Sequence, residues 1–106
     1  MSDAPRTLDE QQVAEAVRDL PDWSGDVHLL QRTLALEPAQ VDQVMDEVHD
    51  IETEMNHHAQ IESVPSDDAE TLLTLKVWTH TVGGVTELDL ELARRINRVM
   101  DAVKTG

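Results

Sequence analysis

The sequence predicts an α+β two-layer sandwich: a four-stranded antiparallel sheet with three helices on one face, in the order α-β-β-α-β-β-α. Three observations lead there. Apolar residues recur at helical spacing in three stretches, period-two alternation marks strands between them, and the strands come in two pairs joined by short turn-forming segments. With 106 residues, the chain is read as one domain over 1–106, too short for two independent cores, with 1–6 as a flexible N-terminal tail.

Thr7 precedes Leu8, Val13, Ala16, Val17 and Leu20, and Pro21 follows, so residues 8–20 read as an amphipathic helix with an acidic first turn. Trp23-Ser24-Gly25-Asp26 ends in turn residues, and Val27–Leu36 alternates in its second half through Leu30, Arg32, Leu34 and Leu36. Together they predict a hairpin centred on Gly25-Asp26. Pro38 suits a first helical turn, and Val41, Val44, Met45, Val48, Ile51 and Met55 carry a helix over 38–57. Gln60–Val64 is a short strand and 65–69 (Pro-Ser-Asp-Asp-Ala) a polar turn. In the strand Thr71–His80, Leu73, Leu75, Val77 and Thr79 point one way and Thr74, Lys76, Trp78 and His80 the other. Gly83-Gly84 ends it. Thr86-x-x-Asp89 is a capping pattern for a helix over 86–104, with Leu88, Leu92, Ile96, Val99, Met100 and Val103 on one face. Trp78 on the sheet face away from the helices predicts a covering subunit, hence a homodimer or homotetramer.

Lys+Arg 8 against Asp+Glu 22 leaves a net charge of −14, a field that repels phosphate backbones and anionic lipid, so neither nucleic acid nor membrane is an expected partner. With Cys 0, Phe 0, Tyr 0 and Trp 2, the core must be aliphatic, and disulfides, thiolate metal sites and cysteine nucleophiles drop out. Met1-Ser2-Asp3-Ala4-Pro5 has neither a basic segment nor an apolar run, and no stretch approaches the roughly 18 residues of a membrane span. A cytoplasmic protein is the expectation.

The available chemistry is that of imidazole and carboxylate. Of five histidines, His57 and His58 fall at the end of the second helix and His80 at a strand end before Gly83-Gly84, while Asp89 lies in the first turn of the last helix. Each has an ordinary structural use: a helix C-terminus favours a histidine cation, a strand-end histidine is commonly solvated, and Asp89 serves as a capping residue. What distinguishes them is the set. Imidazoles give and take protons near neutral pH, so three beside a carboxylate suit a reaction that moves one proton on and another off. Three histidines and an aspartate could also hold zinc or iron, but adjacent histidines seldom ligate one ion, and no metal is expected.

Three blocks in order, Asn56-His57-His58-Ala59-Gln60-Ile61, then Leu73-x-Leu75-x-Val77-x-Thr79-His80, then Gly83-Gly84-Val85-Thr86-x-x-Asp89-x-x-Leu92-Ala93, resemble the pterin-4a-carbinolamine dehydratases over almost the whole chain. The resemblance implies the same α+β fold and a hydro-lyase that converts a 4a-hydroxytetrahydropterin to quinonoid dihydropterin and water. It implies His57, His58 and His80 around the carbinolamine, Asp89 supporting the nearest imidazole, and Asn56 and Thr79 as further substrate-binding residues. The pterin is then substrate, so no cofactor is expected, and a functional link to an aromatic amino acid hydroxylase follows. Asp89→Asn should keep the helix start and lower the rate less than His58→Ala or His80→Ala. His28 and His49, outside the blocks, serve as controls. Ala59 stands where the family usually has Pro, Thr53 where it has an acid, 65–69 resembles an insertion, and an aromatic usual at that hairpin is missing; the alternative is a catalytically weak or inactive binding module of the same fold.

Overall fold

Alternation along the strands decides the layers, because residues two apart share a face. The computed structural model describes residues 6–65 and 70–105. In it the chain runs α1 (Glu10–Arg18), β1 (Ser24–Gly25), β2 (Leu30–Leu36), α2 (Pro38–Met55), β3 (Gln60–Pro65), β4 (Thr71–Val77) and α3 (Glu87–Thr105). The sheet order is β1-β2-β4-β3, antiparallel throughout. Leu30 and Leu36 of β2 and Leu73, Leu75 and Val77 of β4 turn inward and are buried against the helices with Val44, Val48, Leu92, Ile96 and Met100. This is the predicted sandwich. The tail assigned to 1–6 lies outside the described residues except for Arg6.

Caps, rather than apolar periodicity, set where the elements stop. Asp9 caps α1: its Oδ1 accepts the Gln12 N–H at 2.8 Å while Gln12 Oε1 accepts the Asp9 N–H at 3.0 Å. Leu8 therefore lies outside the helix, its N–H donating to Val85 O at 2.9 Å. The helix also ends at Arg18, with Leu20 buried beyond it. The first hairpin is centred later than Gly25-Asp26. Gly25 pairs with Leu30, so the turn is residues 26–29, closed by Asp26 N–H to Leu29 O at 3.0 Å, and β2 begins at Leu30 rather than Val27. Gly25 has φ 144°, and a Cβ there would lie 2.1 Å from Leu29 O, so the position requires glycine.

β3 runs one residue further than predicted. Pro65, which lacks an N–H, is tolerated at the end of this edge strand opposite Thr71, and the rest of the predicted turn, 66–69, lies outside the described residues. β4 ends at Val77, not His80, but Thr79 and Gly84 form a bridge across the following turn.

Two residues depart from their expected environments. Leu88 is 37 % exposed, because Asp89 takes the inward position in the first turn of α3. Arg32 lies on the inner face of β2 at 4 % exposure, and its Nη1 donates to Asn97 Oδ1 at 2.6 Å, an oxygen that also accepts Trp23 Nε1–H at 2.6 Å. On the outer face Trp78, the residue behind the expected covering subunit, is half-buried and stacks within its own chain; the exposed large apolar residues there are Val64 and Leu72. No helix among the described residues is long and apolar enough to cross a membrane.

Candidate active site

The end of α2 separates two adjacent histidines. Asn56 caps the helix in the left-handed conformation, φ 52°, which asparagine tolerates better than most residues, so α2 stops at Met55 instead of running to residue 57. The His57 N–H still donates to Glu52 O at 3.1 Å. The reversal turns the His57 side chain inward to 10 % exposure and leaves that of His58 at 80 %.

His57 finds its partner 32 residues away, where its Nε2 lies 2.6 Å from Oδ1 of Asp89, which is fully buried. An ionised carboxylate only accepts, so Nε2 carries the proton and donates. The other oxygen, Oδ2, accepts the Thr86 N–H at 2.9 Å and the Thr79 hydroxyl at 2.8 Å. Since each hydroxyl has one proton, the chain has a direction: Leu88 N–H donates to Thr86 Oγ1, Thr86 donates to Thr79 Oγ1, and Thr79 donates to Asp89. Asp89 therefore does more than complete a capping pattern. It is a buried acceptor aimed at one imidazole, fixing its orientation and tautomer.

The end of β4 supplies the opposite wall. Thr79 points inward to Asp89, while its neighbours Trp78 and His80 share the outer side and stack, ring centroids 4.3 Å apart and planes 11° from parallel. A cleft of about 310 Å³ opens between these elements, lined by Asn56, His57 and His58 from the end of α2 and by Trp78, Thr79 and His80 from the end of β4. Thr81 and Leu88 complete it. Five of the six sequence-predicted site residues thus border one cleft, and Asp89 sits buried behind His57. Thr79, expected to bind substrate, has its hydroxyl engaged with Asp89 and Thr86.

Glu52 is a residue of the site that sequence reasoning missed. It is 4 % exposed, accepts the Ala59 N–H at 2.7 Å through Oε2, and meets His49 Nδ1 at 3.0 Å through Oε1. His58 Nδ1 stands 3.7 Å from Oε2. The available signal was its position four residues after Val48, on the apolar stripe of α2, where a carboxylate must find donors. Glu52→Ala should lower stability by about 1–3 kcal/mol, the usual effect of leaving a buried donor unpaired, read as a fall in the denaturant midpoint. His49 is consequently not an independent control for the site. Nearby, Arg95 joins α3 to α2, reaching Glu54 Oε2 at 3.4 Å and Glu91 Oε2 at 2.9 Å; its hydrogen bond holds the Glu91 carboxyl below the ordinary carboxylate pKa.

The family model described as pterin 4 alpha carbinolamine dehydratase matches residues 6–99. The chain belongs to that family. A relative from Nocardia farcinica is 33 % identical over 94 residues, spanning 87 % of this chain and 93 % of its own. One from Streptomyces coelicolor is 36 % identical over 92 residues, spanning 84 % and 85 %. Both carry the name pterin-4-alpha-carbinolamine dehydratase as an inferred assignment. Among solved structures, a protein from Brucella melitensis described as a transcriptional coactivator/pterin dehydratase superposes with a TM-score of 0.80 at 23 % identity, over 89 % of this chain and 98 % of that one.

Within the family fold, two departures of this sequence have a local physical account. Ala59 keeps the N–H that a proline would lack, and that N–H is the donor to Glu52. Thr53 is exposed, with its hydroxyl donating back to His49 O at 3.0 Å, while the buried acid of this turn is Glu52, one residue earlier.

Proposed function

We propose that this member of the family dehydrates a 4a-hydroxytetrahydropterin, using its histidines as acid and base. The observation that carries the proposal is the His57–Asp89 pair, 2.6 Å apart, on a cleft bordered by two further imidazoles. The reaction breaks the bond from C4a to its hydroxyl, forms a double bond from the ring nitrogen to C4a, and releases the hydroxyl and the nitrogen's proton, together one water. One group must protonate the departing hydroxyl and another must accept the N–H proton. With Nε2–H committed to Asp89, His57 keeps Nδ1 as its lone-pair nitrogen, which suits the base, and Asp89 stabilises the imidazolium that forms. His58 and His80 are the candidates for the acid. Asn56 on the cleft wall can hydrogen-bond the heterocycle edge. In this reading the protein acts in the cytoplasm and restores a pterin spent by an aromatic amino acid hydroxylase.

The test is turnover of a synthetic 4a-hydroxytetrahydropterin. His58→Ala or His80→Ala should lower kcat roughly 10²-fold, the low end of a general acid or base contribution. His28→Ala should leave it near wild type, since the His28 side chain is exposed outside the cleft. Absence of turnover by the wild type would leave a binding module of this fold as the reading. An effect of His28→Ala equal to the others would misplace the site.

A further inference from the structure

The three imidazoles of the cleft are restrained in three different ways. His57 is hydrogen-bonded to a buried carboxylate and His58 stands within ion-pair distance of Glu52, but among the described residues His80 has no hydrogen-bond partner. It is exposed, and its ring contact is with Trp78. We infer that Trp78 is a positioning residue, whose indole holds the His80 imidazole in one orientation at the cleft while leaving both ring nitrogens free. The consequence for turnover rests on the dehydratase reading; the orientation does not.

Strand geometry explains why the stack can do this. Side chains two apart on a strand leave from the same face roughly 6.5–7 Å apart, so a centroid separation of 4.3 Å requires the rings to lean together. The backbone between them cannot yield. Thr79 is pinned by its N–H to Gly84 O at 2.9 Å and by its hydroxyl to Asp89, so Trp78 and His80 project from a fixed base. An exposed imidazole without such a neighbour would distribute among its staggered rotamers, whereas a ring lying flat on an indole at 11° keeps one. A hydrogen bond would also restrain the ring but would occupy a nitrogen, which a proton-transfer group cannot spare. Trp78 also borders the cleft itself, so the indole that fixes His80 is part of the wall facing the substrate.

The experiment compares wild type, Trp78→Leu and Trp78→Phe. Carbon-bound ring protons of His80, assigned with His80→Gln, should resonate upfield in the wild type through shielding by the indole, and return to the positions of an unstacked histidine in Trp78→Leu. Trp78→Leu should lower kcat about 10-fold, on the steep dependence of proton transfer on orientation. Trp78→Phe, which can still stack, should recover most of both signals. Unshielded His80 protons in the wild type overturn the inference, as does a Trp78→Leu variant whose His80 ring is released while kcat is unchanged. A shielded His80 in a protein without turnover would sink the dehydratase reading and leave Trp78 as the residue that fixes the ring.

Discussion

Asp89→Asn should lower kcat by about two to four orders of magnitude, more than the sequence alone suggests. Asparagine is an adequate capping residue, which favours a mild effect. The structure makes the substitution severe because every neighbour of the carboxylate is a donor: His57 Nε2, the Thr86 N–H and the Thr79 hydroxyl. An amide brings two N–H bonds into that shell. If its NH₂ faces Thr86, two donors oppose each other in a fully buried place; if it faces His57, Nε2 must become the acceptor and the imidazole proton moves to Nδ1, the nitrogen proposed as base. The measurement is steady-state turnover together with the nitrogen chemical shifts of His57, which report the tautomer. A rate within tenfold of wild type, with the tautomer unchanged, would refute the role given to Asp89.

His57 lets the structural and chemical parts of the pair be separated. His57→Ala should lose about 1–3 kcal/mol of stability, because Asp89 Oδ1 loses its imidazole donor, and should lower kcat by roughly 10²-fold or more. His57→Gln can offer an amide N–H to the same oxygen. It should recover most of the stability seen in urea unfolding and none of the rate. Recovery of both would mean that His57 only braces the fold.

The fold was legible because its signals are local. Leu73, Leu75 and Val77 alternate on one strand, Val44 and Val48 recur on one helix, and these patterns fix type and facing wherever one side is buried. Boundaries were less legible, since they depend on which side chain closes a cap. Asp9 outcompetes Thr7 by pairing reciprocally with Gln12, and the left-handed Asn56 stops α2 where apolar periodicity would carry it on. The candidate site divides along the same line. Their places at element ends and the family resemblance singled out His57, His58, His80 and Asp89, but which imidazole Asp89 meets is a contact across 32 residues, set by packing of α2 against α3. Glu52 and Trp78 escaped for a related reason: a buried glutamate on a helix and a strand-end indole take their meaning from neighbours that only the fold supplies.

The placement of Trp23 makes the protein its own two-channel optical probe. Its indole is 4 % exposed and bonded to Asn97, eight residues and roughly 12 Å along α3 from Asp89, whereas the second indole borders the cleft. The chain has Phe 0 and Tyr 0, so near-ultraviolet absorption, circular dichroism and emission all originate at these two sites. Light from the buried indole follows unfolding of the core, and light from the other follows events at the cleft. With one tryptophan replaced by phenylalanine the other reports alone, so Trp78→Phe isolates the core signal for denaturation and Trp23→Phe isolates the cleft signal for ligand titration.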